Sequence, residues 1–340
     1  QIPFTKTELP QKLQSWLEIL QAPEAESNKL DSDLSVELAS LLLPAYEGKF
    51  DNLILIPDGK LGYLPFETLL TQEPINDKLR TWPWLWKQSA TSYAYAAELW
   101  LEQGQRQSVS STEYLGFAPD FGNSSFTPTR RAFGPLEFNQ YEVMMAAKAL
   151  QGKALTGAQA SEETLKKIKR GGSILHFATH AIANDSSEMN SRLILAPSAD
   201  SSEDGQLFAW EIYGLRLVSP LTVLSACQTG TGPLRRGEGV MSLARAFQYA
   251  GSQRVLTTLW HTDDKASADI SSRFFEAIAD GMATDKALQE ARTKYLEACD
   301  NYHAHPRYWG AFIMIVDQVK ILLQNNKNEW AWILNKIGRA

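Results

Sequence analysis

The sequence Leu221-Thr-Val-Leu-Ser-Ala-Cys227 is an apolar run that ends on a cysteine and opens into Gln228-Thr-Gly230-Thr-Gly232. Earlier in the chain, Ser173-Ile-Leu-His-Phe-Ala-Thr-His180 ends on a histidine in the same way. Short apolar runs bounded by turn residues are typical of buried strands in a parallel sheet. The carboxyl ends of such strands meet at one edge of the sheet. We therefore expect Cys227 and His180 to lie close together.

This pairing suits nucleophilic catalysis by a cysteine. A free thiol is only a few per cent ionised near neutral pH, so a cysteine nucleophile needs a neighbouring base. We predict that Cys227 is the nucleophile and that His180 is the general base or acid. The alternatives are a small buried cysteine and a core histidine. For Cys299, late in a helical pattern, the inert alternative is preferred.

Composition excludes several classes of protein. The 340 residues are 44% hydrophobic and 21% charged, which is typical of a soluble globular protein long enough for two domains. A net charge of −6 argues against a dedicated nucleic-acid surface. Two cysteines form no disulfide framework, so we expect a reducing, cytoplasmic compartment. We expect no membrane span. Because the sequence begins at Gln1, we expect it to be part of a longer chain.

Strand and helix patterns alternate along the chain. The predicted strands are 52–57, 114–118, 154–155, 173–180, 192–196, 206–210, 221–227, 254–260 and 311–316. The predicted helices are 7–22, 35–43, near 67–70, 93–102, 137–150, 161–169, 239–250, 265–279 and 285–298. Strands 192–196 and 206–210 flank an Asp-Gly turn and predict a hairpin inserted between the two key strands. The alternation predicts an α/β fold, with a mainly parallel sheet between helices.

A polar, serine-rich segment at 104–112 divides the chain. We predict an N-terminal subdomain over 1–108, a catalytic domain over 109–317 and a helical tail over 318–340. In the tail, Trp330, Ile333, Leu334 and Ile337 would share one helical face. Such a helix would pack on the body or, as the alternative, dock a partner.

Taken together, these residues resemble the CHAT family, a caspase-like domain often fused to tetratricopeptide repeats in bacteria. The resemblance spans about 51–317. Its motifs are His176-Phe-Ala-Thr-His180, Leu224-Ser-Ala-Cys227-Gln-Thr-Gly230, Gly237-Glu-Gly239, Ala250-Gly-Ser, Leu259-Trp260 with Asp264, and His305-Pro-Arg-Tyr-Trp309-Gly-Ala-Phe312. Caspases similarly place a histidine about 50 residues before a Gln-Ala-Cys-x-Gly signature.

The resemblance implies a fold, an activity and partners. The fold would be a caspase-like three-layer αβα sandwich preceded by a degenerate caspase-like half. The activity would be that of a cysteine endopeptidase that cuts a protein substrate through a thioester acyl-enzyme, without metal or cofactor. Regulation by a partner or by an upstream repeat domain is expected, with a role in prokaryotic defence. The alternative is a catalytically silent scaffold that binds other proteins.

The remaining site residues depend partly on how the sequence departs from the family. Ala181 stands where the family has glycine, and its backbone N–H, with that of Cys227, is the expected oxyanion donor. Ser225 stands where relatives that cut after basic residues carry an acid, so no such preference is carried over. The expected substrate-binding residues are Ser225, Glu238, Asp263 and Asp264. The last two would alternatively cap the following helix, and Glu238 would alternatively lie at a solvated loop tip.

Other kinds of site lack their motifs. No His-Glu-x-x-His pattern is present for a zinc hydrolase, and no phosphate-binding Gly-x-x-x-x-Gly-Lys pattern is present for a nucleotide. His176 lies four residues before His180, about 13 Å away along an extended strand. That separation is too long for a shared metal ion, so His176 is expected to be structural.

Overall fold

The structure is a computed structural model that describes the greater part of the chain. The described residues are 8–22, 30–43, 50–95, 113–121, 134–168, 172–184, 187–198, 202–225, 227–228, 238–316 and 330–334. For 227–228, 238–242 and 330–334, the backbone alone is described.

Strands and helices alternate through most of the described residues. The strands are β1 (Asn52–Ile56), β2 (Ala90–Tyr93), β3 (Tyr114–Ala118), β4 (Lys153–Thr156), β5 (Ile174–Phe177), β6 (His180–Ile182), β7 (Arg192–Ile194), β8 (Gln206–Phe208), β9 (Thr222–Leu224), β10 (Cys227–Gln228), β11 (Arg254–Thr258), β12 (Phe312–Val316) and β13 (Trp330–Leu334). The α-helices are α1 (Glu8–Gln21), α2 (Ser32–Leu42), α3 (Leu85–Gln88), α4 (Asn139–Ala149), α5 (Glu162–Lys166), α6 (Ala209–Gly214), α7 (Glu238–Ala250), α8 (Asp264–Ala279), α9 (Thr284–Ala298) and α10 (Pro306–Trp309). Turns of 3₁₀ helix cover Gly59–Tyr63, Phe66–Thr68, Leu79–Thr81, Gly157–Gln159 and Glu188–Asn190.

Nine of these strands form one large sheet, in the order β13-β1-β2-β12-β11-β9-β5-β3-β4. All neighbours in it are parallel except β11 and β12, which pair antiparallel from Arg254↔Val316 to Thr258↔Phe312. The sheet therefore consists of two parallel halves that run in opposite directions and meet at this one pair. The predicted, mainly parallel α/β architecture is confirmed.

A second sheet is smaller and lies next to the candidate site. Its order is β10-β6-β7-β8. β10 and β6 are parallel, whereas β6–β7 and β7–β8 are antiparallel. The pairing of β7 with β8 confirms the hairpin predicted from the Asp-Gly turn.

The two faces of the large sheet bury separate cores, because successive side chains of a strand point to opposite faces. In β11, Val255 belongs to one core and Leu256 to the other. The first core packs under α1, α2, α6 and α7. The second packs under α4, α8 and α9. Helices on both sides of a sheet form the expected layered arrangement.

The helix ends follow their sequence signals. Ser161 caps α5 as predicted, and its hydroxyl accepts from the N–H of Thr164 at 3.1 Å. Asp31 caps α2 in the same way. Among the helices of the described residues, none is both long enough and apolar enough for a membrane crossing.

Several predicted elements differ from the structure. The predicted strand 173–180 divides into β5 and β6, and 221–227 divides into β9 and β10. The predicted helix near 67–70 is a 3₁₀ turn over Phe66–Thr68. At the start of the predicted helix 93–102, Tyr93 instead ends β2, and 96–102 lie outside the described residues. Within the predicted helical tail, 330–334 instead form β13, which pairs with β1. A short continuous apolar run fits a buried strand as well as a buried segment of helix.

Strands β1 and β2 come from the predicted N-terminal subdomain, yet they are continuous with the rest of the sheet through β12. A buried polar cluster accompanies this junction. The carboxylate of Glu67 accepts from the hydroxyls of Thr91, at 2.6 Å, and Tyr93, at 2.5 Å. The guanidinium of Arg292, on α9, lies 3.8 Å from the same carboxylate and donates to the carbonyl of Phe312. The domain boundary near 108 stays a prediction.

We predict that Arg292→Met lowers the free energy of unfolding by about 3–5 kcal/mol, because it leaves the carboxylate of Glu67 buried without its cation. Urea unfolding followed by circular dichroism measures the change. Adding Glu67→Gln to the same variant should recover part of the loss.

Arg273→Met is the matched control, because Arg273 forms a more exposed pair with Asp269 on α8. That pair should contribute about 1 kcal/mol or less. Equal losses in the two variants would contradict the role assigned to the buried cluster.

Candidate active site

His180 is the first residue of β6 and is buried, with 3% of its surface exposed. Its Nε2 lies 2.9 Å from the carbonyl oxygen of Gly134. A carbonyl can only accept, so Nε2 carries the proton and, in the neutral ring, Nδ1 carries the lone pair. The ring of Phe121 contacts the imidazole edge-on, with centroids 4.4 Å apart. These contacts fix both the orientation and the tautomer of His180.

Cys227 begins β10, whose backbone pairs in parallel with β6. The register is Cys227↔His180 and Gln228↔Ala181. Neighbouring strands lie about 4.8 Å apart, so the two residues occupy adjacent positions across the pair. The sequence predicted that each residue ends a strand of one sheet. The structure instead places each at the start of a short strand of the small sheet, and the preceding strands β5 and β9 end at Phe177 and Leu224.

Ala181 follows His180 in β6 and is buried. Among the described non-glycine residues, only Gln151 has a positive φ, so Ala181 does not need the backbone freedom of glycine. It has register partners on both sides, Gln228 in β10 and Leu193 in β7. Its role as an oxyanion donor stays a prediction.

Ser225 is buried and belongs to a polar network beneath the site. Its hydroxyl donates to Oε1 of Glu142 at 2.6 Å. The same oxygen lies 3.1 Å from Nε2 of His176, and the Nδ1 atom of that ring lies 2.7 Å from the hydroxyl of Tyr114. His176 is fully buried, in keeping with the structural role expected of it.

The proton positions in this network follow from Glu142. Its carboxylate only accepts, so Nε2 of His176 carries the ring proton and, in the neutral ring, Nδ1 accepts from the hydroxyl of Tyr114. Burial raises the pKa of that hydroxyl well above the ordinary value, and the charge of Glu142 raises it further, so the hydroxyl keeps the proton that it donates. Two donors thus converge on one oxygen of the carboxylate.

The acidic residues expected to bind substrate have different surroundings. The carboxylate of Asp263 caps α8 by accepting from the N–H of Ala266 at 2.9 Å, which agrees with the capping alternative. Burial raises the pKa of Asp264, while His261 and the N–H of Glu137 lower it. Glu238 begins α7, and its side chain lies outside the described part. Gly230, Gly232 and the rest of 229–237 also lie outside the described residues.

A cavity of about 740 Å³ lies away from His180, between α9 and the segment that includes α3. Its lining side chains include Trp86, Lys87, Lys286 and Gln289. None of its lining residues comes from β6 or β10. The candidate site is therefore identified by strand register and side-chain chemistry.

The family of the chain follows from a comparison with known families. The family model of the CHAT domain matches residues 25–317. The chain belongs to the CHAT domain family. The match begins before β1 and ends directly after β12, so it includes strands from both halves of the large sheet.

Curated relatives of this CHAT domain are much longer proteins. Tetratricopeptide repeat protein 28 of Homo sapiens is 26% identical over 311 residues, which cover 81% of this chain and 12% of that protein. The Mus musculus protein of the same name is 24% identical, with the same coverage. This CHAT domain therefore spans a small part of the relatives that it matches.

This CHAT domain was also compared with solved structures. Gingipain R, an Arg-specific cysteine proteinase, matches with a TM-score of 0.50 at 7% identity, covering 91% of this chain and 74% of that one. The Saccharomyces cerevisiae separase–securin complex matches with a TM-score of 0.45 at 14% identity, covering 78% and 15%. The likeness to gingipain R shows the fold alone, which confirms the caspase-like fold expected from the sequence.

Sequence reasoning missed several residues near the site of this CHAT domain. Gly134 contributes only a backbone carbonyl, which leaves no mark in the sequence. Glu142 lies on a helix whose pattern predicts only packing. Gly116 was missed as well, although a Cβ there would lie 2.5 Å from the hydroxyl oxygen of Tyr114. A glycine inside a predicted strand does signal a close approach and could have been used.

A cluster of three carboxylates among the described residues lies on α5, α6 and the hairpin rather than at the dyad. Carboxylate oxygens of Glu162, Glu203 and Glu211 lie within 4.8 Å of one another. The ammonium of Lys166 lies 2.7, 2.8 and 2.9 Å from them. It takes the position that a metal ion would need, so the cluster is a network of ion pairs centred on Lys166, here called the Lys166 cluster. Glu162 also accepts from the N–H of Gly205, which ties α5 to the hairpin.

We predict that the Lys166 cluster makes the free energy of unfolding depend on pH. Burial raises the pKa of Glu162 from 4.5 to about 7, against the opposing effect of Lys166. A carboxyl group with a raised folded-state pKa stabilises the fold fully below its unfolded pKa. This contribution is lost as the pH rises through about 7. Glu162→Gln, which does not ionise, should therefore lose less stability than wild type between pH 5 and 8.

Urea unfolding at several pH values measures this difference. Glu163→Gln is the matched control, since it removes a more exposed carboxylate from the same helix. Parallel pH curves for wild type and Glu162→Gln would show that the ionisation of Glu162 is not linked to folding.

Proposed function

We propose that this CHAT domain is a cysteine endopeptidase that cleaves a protein substrate with a Cys227/His180 dyad. The observation that carries the proposal is the backbone register Cys227↔His180 in the small sheet. A cysteine and a histidine in register on adjacent strands meet the basic need of a thiol nucleophile, which is a base within reach.

The reaction follows from these positions. Nδ1 of His180 takes the proton of the Cys227 thiol, and the sulfur attacks the carbonyl carbon of the scissile peptide bond. The resulting oxyanion is stabilised by the backbone N–H groups of Cys227 and Ala181. His180 then protonates the leaving amine, so the C–N bond breaks and a thioester remains. Water, deprotonated by His180, hydrolyses the thioester and restores the thiol.

The carbonyl of Gly134 acts as the third member of this arrangement. It accepts from Nε2 of His180 at 2.9 Å, so the proton stays on the nitrogen that does not exchange with the thiol. A carbonyl dipole also stabilises the imidazolium that forms when His180 takes the thiol proton. The tautomer required by the reaction is therefore set before substrate binds.

Regulation forms part of the proposal. Curated relatives are tetratricopeptide repeat proteins, of which this chain covers 12%. We therefore place a repeat domain upstream and assign to it, or to a partner bound there, the control of the peptidase. Ser225, Glu238, Asp263 and Asp264 are the proposed substrate-side residues. A cytoplasmic setting and a role in prokaryotic defence complete the proposal.

The dyad predicts which thiol reacts. With a thiol-directed peptide probe near pH 7, Cys227 should be labelled in wild type. His180→Ala should lower the labelling rate about 100-fold, since an unassisted thiol is largely protonated at this pH. Intact-protein mass spectrometry counts the added probe, and digestion assigns the labelled residue.

Cys299→Ala provides the matched control, because the chain has only two cysteines. Burial raises the pKa of Cys299 to about 11, so its removal should leave the labelling rate unchanged. Equal rates in wild type and His180→Ala would reject the dyad. That result would favour the catalytically silent scaffold.

A further inference from the structure

The two chain segments that lead to the dyad change sheets at equivalent positions. Phe177 ends β5 and Leu224 ends β9, and these residues pair in the large sheet. His180 and Cys227 pair in the small sheet. Each segment thus crosses from the large sheet to the small one, after Phe177 in the first segment and after Leu224 in the second. The dyad register is kept only if both crossings keep the same length and direction.

The first turn of α4 contacts the first residue of both crossings. Asn139 is buried, and its Nδ2 lies 3.3 Å from the carbonyl oxygen of Ala178. The same nitrogen donates to the carbonyl of Pro119, directly after β3, at 2.9 Å. One amide group thus holds the ends of two neighbouring strands.

Glu142 lies three residues later, on the same face of α4. Its Oε1 accepts from the hydroxyl of Ser225, the first residue of the second crossing, at 2.6 Å. Ala178 lies two residues before His180, and Ser225 lies two residues before Cys227. One helical turn therefore holds both segments at the same distance along the chain from the dyad.

Glu142 is itself held in place from the sheet. Nε2 of His176 lies 3.1 Å from the same oxygen, and the hydroxyl of Tyr114 orients the ring of His176. Gly116 leaves the space that this arrangement needs, because a Cβ there would lie 2.7 Å from Cβ of Val143 on α4. The carboxylate therefore cannot shift along α4 without breaking contacts on β3 and β5.

We propose that Asn139 and Glu142 are positioning residues that hold the two strand crossings and thereby set the separation of Cys227 and His180. The inference rests on the proposed function and extends it to residues outside the dyad. Asn139 and Glu142 touch neither substrate nor the reacting atoms. Their effect is transmitted through Ala178 and Ser225. They act through the geometry of their hydrogen bonds. At residue 142 this role needs a hydrogen-bond acceptor and does not need a negative charge.

The test is the pH profile of Cys227 alkylation by iodoacetamide, measured in a Cys299→Ala background. An ordinary cysteine thiol ionises near pH 8.5. In the parent protein, His180 should take the proton of the Cys227 thiol, so rapid alkylation should extend to lower pH. Ser225→Ala and Asn139→Ala should lower the rate at pH 6.5 about tenfold or more and move the profile toward that of an unassisted thiol.

Conservative variants separate geometry from charge and from packing. Glu142→Gln keeps the acceptor at residue 142, so its rate should stay within about twofold of the parent, whereas Glu142→Ala should resemble Ser225→Ala. Glu276→Gln removes an exposed carboxylate on α8 and should leave the profile unchanged. Circular dichroism checks that each variant is folded. If Asn139→Ala does not fold, the comparison of Ser225→Ala, Glu142→Gln and Glu142→Ala still tests the positioning role.

The outcomes distinguish this inference from the dyad itself. Slow alkylation in His180→Ala, together with parent-like profiles for Ser225→Ala and Glu142→Ala, would overturn the positioning role and leave the dyad intact. Equal loss in Glu142→Gln and Glu142→Ala would also overturn it, since charge would then be the cause. Equal rates in the parent and His180→Ala would overturn the dyad and, with it, this inference.

Discussion

The candidate site depends on one backbone constraint, the shared register of two strand pairs in different sheets. Phe177 pairs with Leu224 in the large sheet, and His180 pairs with Cys227 in the small one. A slip of one residue in either crossing would move one side chain to the opposite face of its strand. Local strand propensity cannot prevent such a slip. Contacts from outside the two strands must hold the register.

The buried polar network on the α4 side of the sheet can supply those contacts. His176 and Glu142 lie where an apolar core would otherwise continue, and buried polar groups are costly unless they are hydrogen-bonded. Here the hydroxyl of Tyr114, the ring of His176 and the hydroxyl of Ser225 satisfy one another through the carboxylate of Glu142. Such a network tolerates less sliding than apolar packing, because each bond requires a defined distance and direction.

The sequence predicted those elements whose burial follows a simple pattern. Tyr114–Ala118 is a strand at the predicted bounds, and Ser161 caps its helix, because a short apolar run and a capping residue act locally. Ala90–Tyr93 was missed as a strand. Its Thr91 and Tyr93 hydroxyls are buried because Glu67 accepts from them, and that partner lies more than twenty residues away along the chain. A local sequence pattern cannot predict a hydrogen bond to a residue so far along the chain.

The same distinction applies at the site. Cys227 and His180 could be predicted because each ends an apolar run, but the division of each run into two strands could not. Asn139 and Glu142 of α4 contact the crossings from a separate part of the chain, and a local sequence pattern does not show such contacts. A binding scaffold with this fold would not need the hydrogen bond between the buried His180 and the carbonyl of Gly134. Nor would it need the hydroxyl of Ser225, two residues before Cys227, to bond the buried carboxylate of Glu142. Apolar side chains at these positions would avoid the cost of burying polar groups. In the proposed peptidase such groups have a use, because the proposed dyad requires a fixed tautomer and a fixed register.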